Sequence, residues 1–64
     1  MKHQEAKKTF RRLADIREGL LGNVHMLVAD ALNRLGCALL ILGDYAEAQA
    51  MHQRALAIFE LHIE

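Results

Sequence analysis

The middle third of the chain, read as a helix, is apolar on almost every side. Two apolar stripes run along it at three- and four-residue spacing, and Leu40 and Ile41 lie on a further side. The first stripe consists of Val28, Leu32, Leu35, Leu39 and Leu42, and the second of Leu27, Ala31 and Ala38. A helix that is apolar nearly all round needs a neighbour on more than one flank. The sequence therefore predicts a middle helix packed between two others.

Two glycine-containing breaks divide the chain into three helical segments. Proline is absent and good helix formers dominate the sequence. Gly22 and Gly43 suit the left-handed backbone position that follows a helix. We expect helices over roughly 3–20, 24–41 and 45–62, joined by turns short enough to make neighbours antiparallel. The predicted fold class is all-α, with three antiparallel helices.

The starts of the second and third helices differ in their capping residues. Asp44 and Glu47 have the spacing of a capping box at the start of the third helix. The middle helix has only Asn23 or His25 as its cap. Along the third helix the apolar residues are expected to form one stripe, which consists of Tyr45, Ala48, Met51, Ala55, Leu56, Phe59 and Ile63.

Composition and charge limit the class of protein. Eight basic and eight acidic residues give no net charge, so no overall field attracts nucleic acid or an anionic membrane. No apolar run is long enough to span a bilayer, and the amino terminus lacks the apolar core of a signal peptide. Cys37 is the single cysteine, which excludes an intrachain disulfide and favours a reducing, cytoplasmic location. We expect neither a nucleic-acid nor a membrane partner.

The first and third helices resemble each other. A shift of 42 residues lays the segment that begins at Glu5 on the one that begins at Glu47. Five of the eighteen aligned positions are identical, namely Glu5/Glu47, Ala6/Ala48, Arg12/Arg54, Ile16/Ile58 and Glu18/Glu60. A repeat of this length indicates a unit made of two helices. The chain then contains one complete helical hairpin, preceded by the second helix of another.

The pattern of small and large residues resembles the tetratricopeptide repeat, an α-solenoid family of helical hairpins. It comprises Leu32-x-x-Leu35-Gly36-x-x-Leu39, followed by Gly43, Tyr45, Ala48 and Ala55. The 42-residue spacing is similar to the longer, kinesin-light-chain-type form of that repeat. The resemblance implies one unit over residues 1–64, with a complete repeat at 24–62 and the trailing helix of a preceding repeat at 3–20. It also implies that Gly36 meets Ala48, and that His52, in place of a usual large apolar residue, leaves a less tightly packed site.

The resemblance further implies a binding groove on the middle helix. First helices line the inner groove of the family, which binds peptides or helices. The groove residues here would be Asp30, Asn33, Cys37, Leu40 and Ile41. Asn33 offers both a donor and an acceptor to a peptide backbone. The alternative is that Asn33 is merely solvated and that Leu40 and Ile41 pack on another helix.

The remaining candidate residues indicate no enzyme, metal or cofactor. The four histidines include no pair at i, i+4 spacing, which would place two metal ligands on one helical face. Hairpin geometry is not expected to bring a histidine near Cys37, so this thiol lacks the base that a nucleophile needs. The basic run from Lys7 to Arg12 is either a solvated face or meets the acidic third helix of a second copy.

Two functions remain open at this stage. The first is a protein-interaction module that binds a peptide or partner helix and forms part of a longer repeat array. The second is a structural unit that completes its core by homo-oligomerisation, because one and a half repeats leave apolar faces uncovered. A three-helix DNA-binding domain is disfavoured, since the third helix offers only Arg54 as a basic residue.

Overall fold

The chain forms three α-helices in the computed structural model, which describes residues 2–63. They are α1 (Lys2–Leu21), α2 (Met26–Leu42) and α3 (Tyr45–Leu61), and no strand occurs in this range. The all-α prediction is confirmed, and every helix begins and ends within two residues of its expected position. The largest difference is the start of α2 at Met26, where the sequence offered no strong cap.

Two glycines in the left-handed region end the first two helices. Gly22 has φ +88° and Gly43 has φ +86°. The amide N–H of Gly43 donates to the carbonyl of Leu40, and that of Asp44 donates to the carbonyl of Leu39 at 2.8 Å. These bonds satisfy carbonyls that the end of a helix leaves without partners. The glycine breaks therefore act as predicted.

The two remaining helix starts are capped differently from each other. His25 caps α2, because its Nδ1 accepts the amide N–H of Leu27 at 3.0 Å. The capping box expected at Asp44 and Glu47 is wrong, since Asp44 makes no side-chain cap bond. Asp44 lies instead 3.7 Å from Lys7, and Glu47 accepts hydrogen bonds from Arg11. Both acids are drawn away from the helix end by cations on α1.

Helix α2 lies between α1 and α3, as predicted from the apolar residues on almost every side of it. Its backbone packs closely on both neighbours, whereas α1 and α3 make no close backbone contact with each other in the described range. Leu35 and Leu39 illustrate the arrangement, because they form one core cluster with Ala48 of α3, and Phe10 of α1 packs against this cluster. Arg17 near the end of α1 meets Leu27 near the start of α2, so these two helices are antiparallel.

The apolar residues of α3 divide into two faces rather than one stripe. Those that belong to the core or pack against it are Ala48, Met51, Ala55, Ile58 and Phe59. Tyr45, Leu56 and Ile63, which the sequence placed in the same stripe, are largely exposed. Three- and four-residue steps fit both sets, because a helix of 3.6 residues per turn can carry two neighbouring stripes.

No helix in the described part of the chain is long and apolar enough to cross a membrane.

Candidate functional site

The groove predicted on α2 opens into a cavity between α1 and α2. This α1/α2 cavity has a volume of about 220 Å³. Asn33, Cys37 and Ile41 line it from α2, and Ala6 and Phe10 line it from α1. Three of the five predicted groove residues therefore share one depression, whose walls are mainly apolar. The part of the cavity wall that α1 supplies was not predicted, although Ala6 and Phe10 are apolar residues at helical spacing in the sequence.

Leu40 does not line this cavity. It lines a second depression, the α2/α3 cavity, with Tyr45, His52 and Leu56. This cavity has a volume of about 360 Å³. Successive residues of a helix point about 100° apart, which separates Leu40 from Ile41. The predicted set thus borders two surfaces, and Leu40 and Ile41 are both exposed rather than packed on another helix.

Asp30, the fifth predicted groove residue, is held in an ion-pair cluster. Arg17 donates to it across the α1–α2 seam at 3.2 Å, and Arg34 donates from the next turn of α2. Partial burial raises the pKa of Asp30, but the hydrogen bonds from Arg17 and Arg34 outweigh it, so the pKa lies below its ordinary value of 3.8. Asp30 is therefore engaged in holding α1 against α2.

A histidine lies beside Cys37, contrary to the expectation from the sequence. The distance from Cys37 Sγ to His52 Nε2 is 3.9 Å, and the same nitrogen lies 3.3 Å from the carbonyl oxygen of Asn33. A carbonyl oxygen only accepts, so this bond assigns the proton to Nε2. In that tautomer the nitrogen nearest to the sulfur has no lone pair for the thiol proton. The pair is thus not arranged for general-base activation of Cys37.

The ring of His52 lies against Gly36 of α2. A Cβ added to Gly36 would lie 2.5 Å from His52 Nε2. Gly36 therefore makes room for the His52 ring, a contact that the resemblance did not imply. The ring occupies the notch left by the missing Gly36 side chain and bonds to the carbonyl of Asn33, and it also borders the α2/α3 cavity.

Two members of the basic run on α1, Lys7 and Arg11, are paired with acids of the same chain. Arg11 Nη2 donates to Glu47 at 2.8 Å, and Arg54 Nη2 donates to Glu18 at 2.9 Å. The numbers of the paired residues rise together along both helices, so α1 and α3 run parallel. These two pairs and Lys7–Asp44 are called the α1–α3 ion pairs below. Lys7 and Arg11 belong to the run that was expected to face solvent or a second copy.

Acid is expected to destabilise the fold through Asp30 and Glu47. The hydrogen bond from Arg11 lowers the pKa of Glu47 below its ordinary value of 4.5, against a smaller opposing effect of burial. A carboxyl group whose pKa is depressed by folding contributes stability above its ordinary pKa, and this contribution is lost as the pH falls through the folded value. Urea midpoints should therefore decrease progressively once the pH drops below 4.5.

A matched pair of variants tests this acid sensitivity. Glu47→Gln should remove part of the decrease in the urea midpoint, because it eliminates the paired carboxylate. Glu60→Gln removes a carboxylate from the same helix that has no ion-pair partner within residues 2–63, so it serves as the control. An unchanged acid profile for Glu47→Gln would contradict the assigned role of the Arg11–Glu47 pair.

Metal-ion chemistry has no assembled site in the described part of the chain. No group of three or more His, Cys, Asp or Glu side chains is placed there to hold a metal ion. Two histidines serve structural bonds instead, with His25 at the start of α2 and His62 donating to the carbonyl of Val24 at 3.0 Å.

Comparison with known families agrees with this arrangement of helices. The family model of the tetratricopeptide repeat matches residues 1–60. The chain belongs to the tetratricopeptide repeat family. Tetratricopeptide repeats are non-enzymatic helical scaffolds that generally serve protein–protein interaction. No curated protein and no solved structure matches the chain.

Within this tetratricopeptide repeat protein, the elements that shape the site have separate roles. The close fit of His52 over Gly36 joins α2 to α3. The Arg17–Asp30 pair joins α1 to α2, and the α1–α3 ion pairs hold the outer helices in register. The exposed face of α2 is thereby presented on a supported helix.

Proposed function

We propose that this tetratricopeptide repeat unit binds a peptide or partner helix along the exposed face of α2. The observation that carries the proposal is the α1/α2 cavity, which brings Asn33, Cys37 and Ile41 together with Phe10. Ile41 is 61% exposed although it is a large apolar residue. An apolar side chain of the partner would lie beside Phe10 and Ile41, and the Asn33 amide would bond the backbone of the partner.

The polar residues at the edge of the cavity restrict how a partner enters it. Arg34 lines the same cavity, but its guanidinium is hydrogen-bonded to Asp30. Its charge is therefore partly neutralised and does not favour a strongly acidic partner on its own. We infer that binding relies on the apolar contact, with Asn33 giving orientation rather than most of the affinity.

Two substitutions on α2 test the groove. Against a library of displayed peptides, Ile41→Glu should abolish binding of selected ligands, and Asn33→Ala should weaken it roughly tenfold by leaving backbone groups of the peptide unpaired. Leu61→Glu, another exposed apolar-to-acid change of similar size, is the control and should bind as the native chain does.

The result that would contradict the groove is equal binding by the native chain and Ile41→Glu. Circular dichroism of each variant distinguishes a misfolded chain from a folded chain that has lost the contact with the peptide. Since Ile41 and Asn33 are both exposed, the helical spectrum should persist in either variant.

Homo-oligomerisation is the alternative function, favoured by exposed apolar side chains such as Leu56 and Leu61. Against it, part of the charge complementarity that would join two copies is used within one chain by the α1–α3 ion pairs. Sedimentation velocity over a range of concentrations distinguishes the two functions. A discrete dimer would support self-assembly, and a concentration-independent monomer would support the interaction module.

Three finer assignments accompany this proposal. We infer that the unit is the longer, 42-residue form of the repeat, of the kinesin-light-chain type, because α1 and α3 stand at equivalent positions when the chain is shifted by that length. The proton on His52 Nε2 supports a binding role for Cys37 rather than a catalytic one. The exposed thiol of the single cysteine supports a reducing, cytoplasmic location.

A further inference from the structure

The first half of α1 supplies one wall of the groove and is not buried in the rest of the fold. Ala6 and Phe10 line the α1/α2 cavity from this half. No residue in the range 2–12 is buried, and Ala14 is the single buried residue of α1. Residues 2–12 are called the groove wall below.

The two halves of α1 are attached to the fold in different ways. In the second half, Ala14 belongs to the core. Arg17 of the same half donates to the Leu27 carbonyl at 2.7 Å and to Asp30 at 3.2 Å. In the groove wall, Phe10 packs against the core but is only partly buried. The position of the groove wall therefore depends more strongly on contacts outside the core.

Two ion pairs provide such contacts between the groove wall and the start of α3. Lys7 Nζ lies 3.7 Å from Asp44 Oδ2, and Arg11 Nη2 donates to the two carboxylate oxygens of Glu47 at 2.8 and 3.1 Å. Helices α1 and α3 make no close backbone contact in residues 2–63, so these long side chains span the distance between them. Lys7–Asp44 and Arg11–Glu47 are called the latch pairs below.

The latch pairs and the groove lie on opposite sides of α2. Arg11 and Leu35 border one small cavity between α1 and α3, whereas Cys37 lines the groove. Leu35 and Cys37 point about 160° apart, because each residue of a helix adds about 100°. A movement of α1 away from α3 therefore turns α1 about α2 towards the groove, and the α1/α2 cavity becomes narrower.

We propose that the latch pairs hold the groove open and make its ligand binding sensitive to ionic strength. The four side chains of the latch pairs are between 28% and 50% exposed. Ion pairs with this exposure are weak and are screened by dissolved salt. At 1 M salt the Debye length is about 3 Å, which is similar to the distances within the latch pairs. This regulation rests on the proposed function, since it acts on the same groove.

Spin labels on α1 and α3 test the movement without a ligand. The labels are attached to cysteines introduced in a Cys37→Ser chain, which has no other cysteine. The wall pair of labels is Lys8→Cys with Gln53→Cys, and the reference pair is Ile16→Cys with Gln53→Cys. All three labelled positions are exposed. Electron paramagnetic resonance then measures the distance from α3 to each half of α1.

Neutral variants of the two acids should release the groove wall. In Asp44→Asn with Glu47→Gln, the ratio of chains with a longer wall-pair distance to chains with the original distance should rise about three- to tenfold. The reference-pair distance should not change. The chain without these two substitutions should show the same response in 1 M NaCl. Glu18→Gln is the matched control, because it breaks the Arg54–Glu18 pair beside the second half of α1 and should leave the wall-pair distance unchanged.

Exchanging the charges of one latch pair separates the ion pair from other effects of substitution. Arg11→Glu alone should release the groove wall, because two acids then face each other. Addition of Glu47→Arg should restore most of the original wall-pair distance. Circular dichroism of each variant checks that the three helices remain folded.

A peptide selected for the groove of the native chain tests the link with binding. Its affinity should fall in Asp44→Asn with Glu47→Gln, although neither acid lines the groove. The decrease should be no larger than the factor by which released chains become more frequent. If no displayed peptide binds the native chain, the proposed function fails, and the spin labels still decide whether the latch pairs position the groove wall.

Any of three results would overturn the proposal. The first is an unchanged wall-pair distance in the folded Asp44→Asn, Glu47→Gln chain. The second is equal lengthening of the wall-pair and reference-pair distances, which would indicate loosening of the whole fold. The third is an unchanged peptide affinity in a chain whose groove wall is released.

Discussion

Replacing Leu39 with alanine is expected to lower the free energy of unfolding by about 2–5 kcal/mol. Leu39 is 0% exposed and packs in one cluster with Leu35 and Ala48, against which Phe10 also lies. Removing its side chain leaves a cavity that borders both flanks of α2. The loss therefore acts on the α1–α2 and α2–α3 seams together.

The size of this loss is decisive for so short a chain. At roughly 0.05–0.15 kcal/mol per residue, 64 residues give a total stability of about 3–10 kcal/mol. Leu39→Ala should consequently unfold at a much lower urea concentration, or lose its helical circular dichroism without urea. Ile41→Ala, an exposed apolar change two residues away, should shift the free energy of unfolding by less than about 0.5 kcal/mol. Equal losses in the two variants would mean that α2 is not buried as described.

Enlarging Ala48 to leucine is expected to cost about 1–3 kcal/mol of unfolding free energy. Ala48 is 0% exposed, and it faces Leu35 and Leu39 where α3 comes close to α2. The extra carbons would have to displace one helix or force side chains from their preferred rotamers. The urea midpoint should fall, and the heat of unfolding should fall with it.

The control for this variant is Ala57→Leu. Ala57 belongs to the same helix but is exposed, so a leucine there should change stability by less than about 0.5 kcal/mol. If Ala48→Leu were as stable as Ala57→Leu, the two helices would have to be farther apart than the fold described here.

The position of α2 between two neighbours could be predicted, because it follows from apolar residues on almost every side of one helix. Stripes on two flanks leave no arrangement in which a single neighbour covers the helix. The glycine turns were equally predictable, since Gly22 and Gly43 adopt a backbone conformation that other residues avoid. Both features depend on local sequence or on simple periodicity.

The partners of the charged residues could not be predicted in the same way. Asp44 and Glu47 have the spacing of a capping box, yet their carboxylates pair with Lys7 and Arg11 on α1. Local capping competes with long-range pairing, and the relative register of α1 and α3 decides between them. That register is a property of the packed fold, so spacing within one helix does not reveal it.

Part of the candidate site could be predicted from the sequence, and part could not. Asn33, Cys37 and Ile41 share the α1/α2 cavity, but Leu40 borders a different one. The proximity of His52 to Cys37 depended on the notch at Gly36, into which the ring fits. The missing side chain of Gly36 thus allows His52 to lie beside Cys37, which the sequence spacing did not predict.

The burial of α2 between its two neighbours is tested most directly by nuclear Overhauser effects from the Leu39 methyl groups. The fold predicts cross-peaks from these methyls both to the ring protons of Phe10 and to the methyl protons of Ala48. Cross-peaks to only one of the two, in a sample with the full helical content, would contradict a middle helix covered on both flanks.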